Sequence, residues 1–328
     1  MIIDSHAHVV LDAASYRVMA TLTGGRNNPR SMAKLPPDSV LEKTVQGLLA
    51  QMDEVGTDMQ FLSPRPYLQM HSLKPADVPL VWARYNNDLI HAHVQIAPDR
   101  FRGIAGLPQF RDTSPAACID ELERAVSDLG FVGCLLNPDP MEGDGPPPPG
   151  LGDEFWYPLY EKICALDIPV LVHSAGCCHP RESYTLKFIN EGSIAIMSLL
   201  GSRVFEDFPN LKMIISHGGG AIPYHIGRFR AGHIRRNQDF DAKLKRLHFD
   251  TCVYSTEGLD LLFRICGPDN CLFGTERPGT ASVFNPEWGH ELDDLKRVID
   301  RIDWLTDEDR AKVYEGNCRK LYTRAFAS

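Results

Sequence analysis

Eight short apolar runs, separated by amphipathic stretches, constrain this fold more than any other feature of the chain. They fall at 2–8, 59–63, 103–107, 132–137, 170–173, 213–217, 248–253 and 271–274. Each is the length of a buried strand and too short for a typical helix. The stretches between them carry helical spacing. Val40, Leu41, Val45, Leu48, Leu49 and Met52 mark a helix over 39–55. Ala117, Ile119, Leu122, Ala125, Val126 and Leu129 mark another over 115–129. The second opens on Ser114-Pro115, a capping residue before a proline at the first helical position. Strand and helix alternating eight times predict an α/β fold, a (β/α)8 TIM barrel in one domain over 1–328. In such a barrel the active site lies where the strands end.

Two stretches interrupt the alternation. Residues 12–37 hold Gly24-Gly25, Asn27-Asn28-Pro29 and Pro36-Pro37, and residues 138–152 hold Pro146 to Pro149. Both read as irregular excursions over the mouth, suited to lids or contacts in a homo-oligomer, with a dimer expected. Composition narrows the partners. A net charge of −9 disfavours nucleic acid, whose phosphates want a basic face. It leaves room for a small anionic substrate held by a few local arginines. No run approaches the length of a membrane span. The first residues include Asp4, His6 and His8 where a secretion signal would be apolar. The nine cysteines form no CxxC pair, which fits reduced thiols in the cytoplasm. Cys177-Cys178 reads as two packed or near-site thiols without a redox role.

The strand ends carry the chemistry. His6 and His8 are two apart on a strand, so their imidazoles share a face as metal ligands must. His173 ends the fifth run, His217 the sixth, before Gly218-Gly219-Gly220, and Glu276 follows the eighth. Three neutral imidazoles suit one divalent ion, zinc first, with manganese or iron(II) as alternatives. Glu276 is a candidate fourth ligand. His91 and His93 provide a control, because 82–96 has helical spacing and positions two apart on a helix diverge by about 200°. They are expected to be packing or surface histidines.

The order of these groups resembles the metal-dependent amidohydrolase superfamily along the whole chain. Binuclear members carry a carboxylated lysine or a glutamate on strand four. Here that strand reads Phe131-Val132-Gly133-Cys134-Leu135-Leu136-Asn137, with neither, so the resemblance implies one metal. The stretch from Ala97 to Gly103, Leu107-Pro108 and His217 to Gly220 look like the branch containing aminocarboxymuconate-semialdehyde decarboxylase. Gly274-Thr275-Glu276-Arg277-Pro278-Gly279, with Asp293-Asp294-Leu295-Lys296, is similar to the 4-oxalomesaconate hydratase family. Glu276 stands where most of the superfamily has the shorter aspartate.

That likeness implies a hydro-lyase adding water to the C=C of an unsaturated keto-tricarboxylate in bacterial degradation of protocatechuate or gallate. Glu276 and His217 then form the acid/base pair. Arg65, Arg181, Arg228 and Arg277 are the candidate cations for a di- or tricarboxylate. Asn137 and Tyr184 are candidate hydrogen-bond partners, and Asp4 a candidate acceptor orienting the histidines. A decarboxylase on a related acid is the alternative. A hydrolase and a metal-binding protein without catalysis are weaker ones.

Overall fold

A computed structural model describes residues 1–24 and 33–327. Its main sheet is β1 (Ile3–His8), β2 (Met59–Ser63), β3 (Phe101–Gly106), β4 (Gly133–Leu136), β5 (Val170–Val172), β6 (Met213–Ile215), β7 (Leu247–Asp250) and β8 (Cys271–Leu272), paired in chain order. Every neighbouring pair is parallel. Beyond the short β8 the chain runs on against β1. Ser5 N donates to Phe273 O at 2.9 Å and Glu276 N to His6 O at 2.6 Å. These bonds bring the two ends together as a (β/α)8 barrel in one domain.

Helices cover the strands outside, including α1 (Ala13–Gly24), α2 (Asp38–Val55), α3 (Asp77–Ile96), α4 (Ile119–Ser127), α5 (Tyr157–Ala165) and α6 (Tyr184–Leu200). Helix α2 shows why these segments coil. Leu41, Val45, Leu48 and Met52 recur on one buried face, and Gly56 ends the helix at φ 74°. The Ser114 cap accepts from Ala116 N, but the expected helix over 115–129 begins as a 3-10 turn, Pro115–Cys118, before α4.

The first excursion is more regular than expected. Ser15 N donates to Asp12 Oδ1 at 2.7 Å, which starts α1, and Val18 and Leu22 bury one face of it. Residues 25–32 of that excursion lie outside the described residues. The second excursion, 138–152, is irregular but tied down. The Asp139 carboxylate accepts from Met141 N, Gly143 N and Lys187 Nζ at 3.0, 2.9 and 2.7 Å.

The core has two shells. Phe61, Ile104, Leu135, Leu171, Ile214 and Leu272 fill the barrel, closed below by Leu321 and Tyr322. The alternate strand residues, among them Leu136, Val170, Val172, Met213 and Phe249, pack against the helices. On β1 this alternation meets a bulge. Asp4 pairs with Gln60 but Ala7 pairs with Leu62, so β1 spends one extra residue. Ile3 belongs to the inner shell and Ala7 to the outer one. Without the bulge both would share a face. The extra residue changes parity and turns His6 and His8 inward.

Candidate metal centre and active site

Four strand ends bring their groups together here, three supplying imidazoles and the fourth a carboxylate. His8 Nε2 lies 3.3 Å from His6 Nε2, and Glu276 Oε1 lies 3.5, 3.6 and 3.7 Å from Nε2 of His8, His173 and His217. Parity places three of these side chains directly. Leu171 points inward, so His173 does; His6 and His8 follow from the bulge. His217 and Glu276 need a further device. Each sits just beyond its strand in the left-handed region, at φ 53° and 61°, which redirects its side chain. Gly274 permits the close approach of this segment to β1, because a Cβ there would stand 2.9 Å from His6 Cβ.

Each candidate ligand is oriented from behind. His6 Nδ1 meets Asp250 Oδ2 at 2.6 Å, and His173 Nδ1 meets Ser174 O at 2.6 Å. Ser63 Oγ donates to Ala7 O, so it is an acceptor for His8 Nδ1 at 2.8 Å. With hydrogen on Nδ1 in all three rings, the Nε2 lone pairs face one another across the centre. Burial holds His8 well below the usual histidine range and His173 down at about 4, so both stay neutral near pH 7. Burial alone would lower His6 too, but the Asp250 carboxylate reverses the shift and raises it. For Glu276, burial pushes up, yet the surrounding imidazoles of His173, His217 and His8 outweigh it and leave the carboxyl well below its ordinary value.

These four residues fit a divalent cation. His6, His8, His173 and Glu276 each offer one atom, all within 4.8 Å of one another and all buried. His173 Nε2 is buried with no hydrogen-bond partner, as is His217 Nε2. The packing histidine His93 also has a partnerless Nε2, so what fits a ligand is the convergence of several such atoms on one point. The expected control also appears. His91 Nδ1 contacts Leu129 O at 3.1 Å and His93 Nδ1 contacts Leu89 O at 2.8 Å, both as packing histidines on α3.

A cavity of about 370 Å³ opens over the centre, lined by His8, Arg65, Tyr67, Tyr184, Glu276 and Thr280. Arg65 Nη2 donates to Pro278 O at 2.8 Å, and among the described residues no carboxylate pairs with this guanidinium. Burial, then the Glu276 charge, raises the Tyr184 phenol, which stays a donor. Phe188 backs the site, stacked on His217 with ring centroids 5.5 Å apart.

Other expected residues lie elsewhere. Arg277 already pairs its two terminal nitrogens with Asp293 and Glu291 at 2.7 and 2.6 Å, and so anchors its own loop. Asn137 closes a local turn, accepting from Asp139 N at 3.1 Å and donating to Asp139 O at 3.1 Å. Arg181 and Arg228 are exposed and do not line the cavity. Asp4 accepts from His6 N, Gln60 and Thr275 and touches no imidazole ring. The orienting acid is instead Asp250, which also accepts from Gly218 N at 3.0 Å and so holds the turn carrying His217. An acid ending an apolar strand was the signal for it. Tyr254, whose hydroxyl donates to Glu276 Oε2 at 2.8 Å, carried no comparable signal.

Known proteins resemble this chain in sequence and fold. The chain is 38% identical to a 2-keto-4-carboxy-3-hexenedioate hydratase of Sphingobium sp., across all of this chain and 97% of that one. A gamma-resorcylate decarboxylase of Polaromonas sp. is 28% identical over 73% of this chain and 76% of its own length. Among solved structures, 4-oxalomesaconate hydratase from Rhodopseudomonas palustris superposes with a TM-score of 0.89 at 37% identity, covering 99% of this chain and 96% of that one. The 2,6-dihydroxybenzoate decarboxylase from Rhizobium shares the fold, with a TM-score of 0.71 at 24% identity, covering 98% of each chain. The amidohydrolase family model matches residues 3–324, and the chain belongs to that family.

Proposed function

We propose that this protein is a metal-dependent hydro-lyase that adds water across the C=C of a small unsaturated keto-tricarboxylate of the 4-oxalomesaconate type. One observation carries the reading. An ionised glutamate, His8 of the buried imidazole cluster and an arginine with no carboxylate partner among the described residues face one cavity. The likeness to two hydratases over nearly the whole chain supports it.

The donor set of His6, His8, His173 and Glu276 suits zinc, with manganese or iron(II) as alternatives. A divalent ion there supplies Lewis acidity, acidifying water and polarising a substrate oxygen. The protein's own groups do the rest. Arg65 binds a substrate carboxylate, and Tyr184 donates a hydrogen bond to a second oxygen. Glu276 takes one proton from water as the remaining hydroxyl bonds to the electrophilic alkene carbon. The alkene electron pair moves toward the conjugated carbonyl. His217, with Nε2 3.7 Å from Glu276 Oε1, is placed to take that proton from Glu276 and pass it to the adjacent carbon, which leaves both groups as they began. No atom is lost, and the product is the hydroxy acid.

Loss of the conjugated-enoate absorbance with 4-oxalomesaconate tests this; no change with metal-loaded protein would sink it. The similarity to gamma-resorcylate decarboxylases favours one second reading, decarboxylation of a related acid, which CO₂ release would reveal. Among the described residues, no helix is long and apolar enough to cross a membrane. The free cysteines support a cytoplasmic setting. A dimer is our expectation in solution, read by sedimentation.

A further inference from the structure

Tyr254 lies beyond β7 and is not among the residues that line the cavity. Its backbone sits at φ 60°, a conformation unfavourable for a bulky residue, which places the phenol behind Glu276. The single hydroxyl proton has two acceptors in reach, Glu276 Oε2 at 2.8 Å and Thr275 O at 3.2 Å. The shorter contact goes to the ionised group, the stronger acceptor. The two Glu276 oxygens therefore have different partners. Oε1 faces the imidazoles, while Oε2 is held from behind by the phenol.

We propose that Tyr254 is a positioning residue that ties up Glu276 Oε2, so that one carboxylate oxygen alone is presented to the metal centre. A glutamate free at both oxygens can turn its second oxygen onto a cation and bind it more firmly. The tyrosine opposes that turn and keeps the carboxylate loosely held, ready to exchange a proton with water. The inference rests on the proposed metal centre but not on the identity of the substrate.

The test is zinc release from the loaded protein to a chromogenic chelator, which needs no substrate. Tyr254→Phe keeps the ring and removes one hydrogen bond to a charged group, so release should slow by about tenfold. Glu276→Asp shortens the side chain away from the phenol, and in that background Tyr254→Phe should change nothing further. Equal effects in both backgrounds, or no effect in either, would overturn the proposal. Should Tyr254→Phe fail to melt cooperatively, 3-fluorotyrosine at position 254 replaces it. That analogue is a stronger donor and must speed release, and an unchanged rate would be equally fatal. With 4-oxalomesaconate turning over, Tyr254→Phe should also lower kcat while leaving KM within about twofold. Because release is read without substrate, a failed hydratase assay and a failed proposal are distinguishable.

Discussion

At the residue scale, Glu276 is where most of the chemistry meets. It reaches three imidazoles with one oxygen and a phenol with the other. Glu276→Gln keeps the shape but removes the charge, so kcat for hydration should fall by at least about 10²-fold, the usual scale for a general base. Turnover within a few-fold of the parent would end its role as proton acceptor. Arg65 acts differently. As the proposed carboxylate-binding group it would supply binding common to the ground and transition states, so Arg65→Ala should raise KM by about 10- to 100-fold with kcat little changed. Asp250 is two steps from the substrate. Asp250→Asn removes the charge behind His6 and should weaken zinc binding about 10- to 100-fold in a competition titration.

At the element scale, helix α6 and the loop after β4 share a buried ionic cluster. Lys187 Nζ lies 2.7 Å from Asp139 and 2.9 Å from Glu191. Burial still lifts the Glu191 carboxyl above its ordinary value, against the pull of Lys187. Lys187→Ala would leave two buried carboxylates without their cation, a loss of about 3–5 kcal/mol for a buried pair. A urea midpoint unchanged by that substitution would show the cluster to be inert. The 138–152 excursion shows why this was not legible earlier. Its prolines and glycines announced an irregular loop correctly, but the partner that fixes it stands 48 residues away at Lys187.

At the scale of the whole molecule, the metal and pH act on the folded state together. A cation held by four buried groups stabilises only the folded chain, so chelation should lower Tm and readdition restore it in proportion to free metal. Acid acts elsewhere as well. Burial, with Lys320 and Arg246 adding repulsion, lowers His248 from 6.5 to about 4. The unfolded chain then binds the extra proton between those values. Stability is unaffected above the higher value and is lost progressively as pH falls toward the lower. His248→Gln should therefore gain on the parent by about 2–3 kcal/mol between pH 7 and pH 4.5. Parallel urea-midpoint profiles for the two proteins would refute it.

Strand length, helical period and the groups ending each strand were written locally, so the barrel was legible, and His6, His8, His173, His217 and Glu276, expected together at its mouth, lie close to one another. Contacts between remote segments were not legible. Arg65 and Arg277 look alike in sequence, yet Asp293 and Glu291 occupy Arg277, while no such carboxylate pairs with Arg65 among the described residues. Asp4 and Asp250 both belong to strands, and only folding decides which one meets an imidazole. The bulge in β1 is the sharpest case. Sequence put His6 and His8 on one face because side chains alternate with a period of two; it could not say which face. That was decided by the register with β2, where one extra residue between Asp4 and Ala7 turned both rings into the barrel.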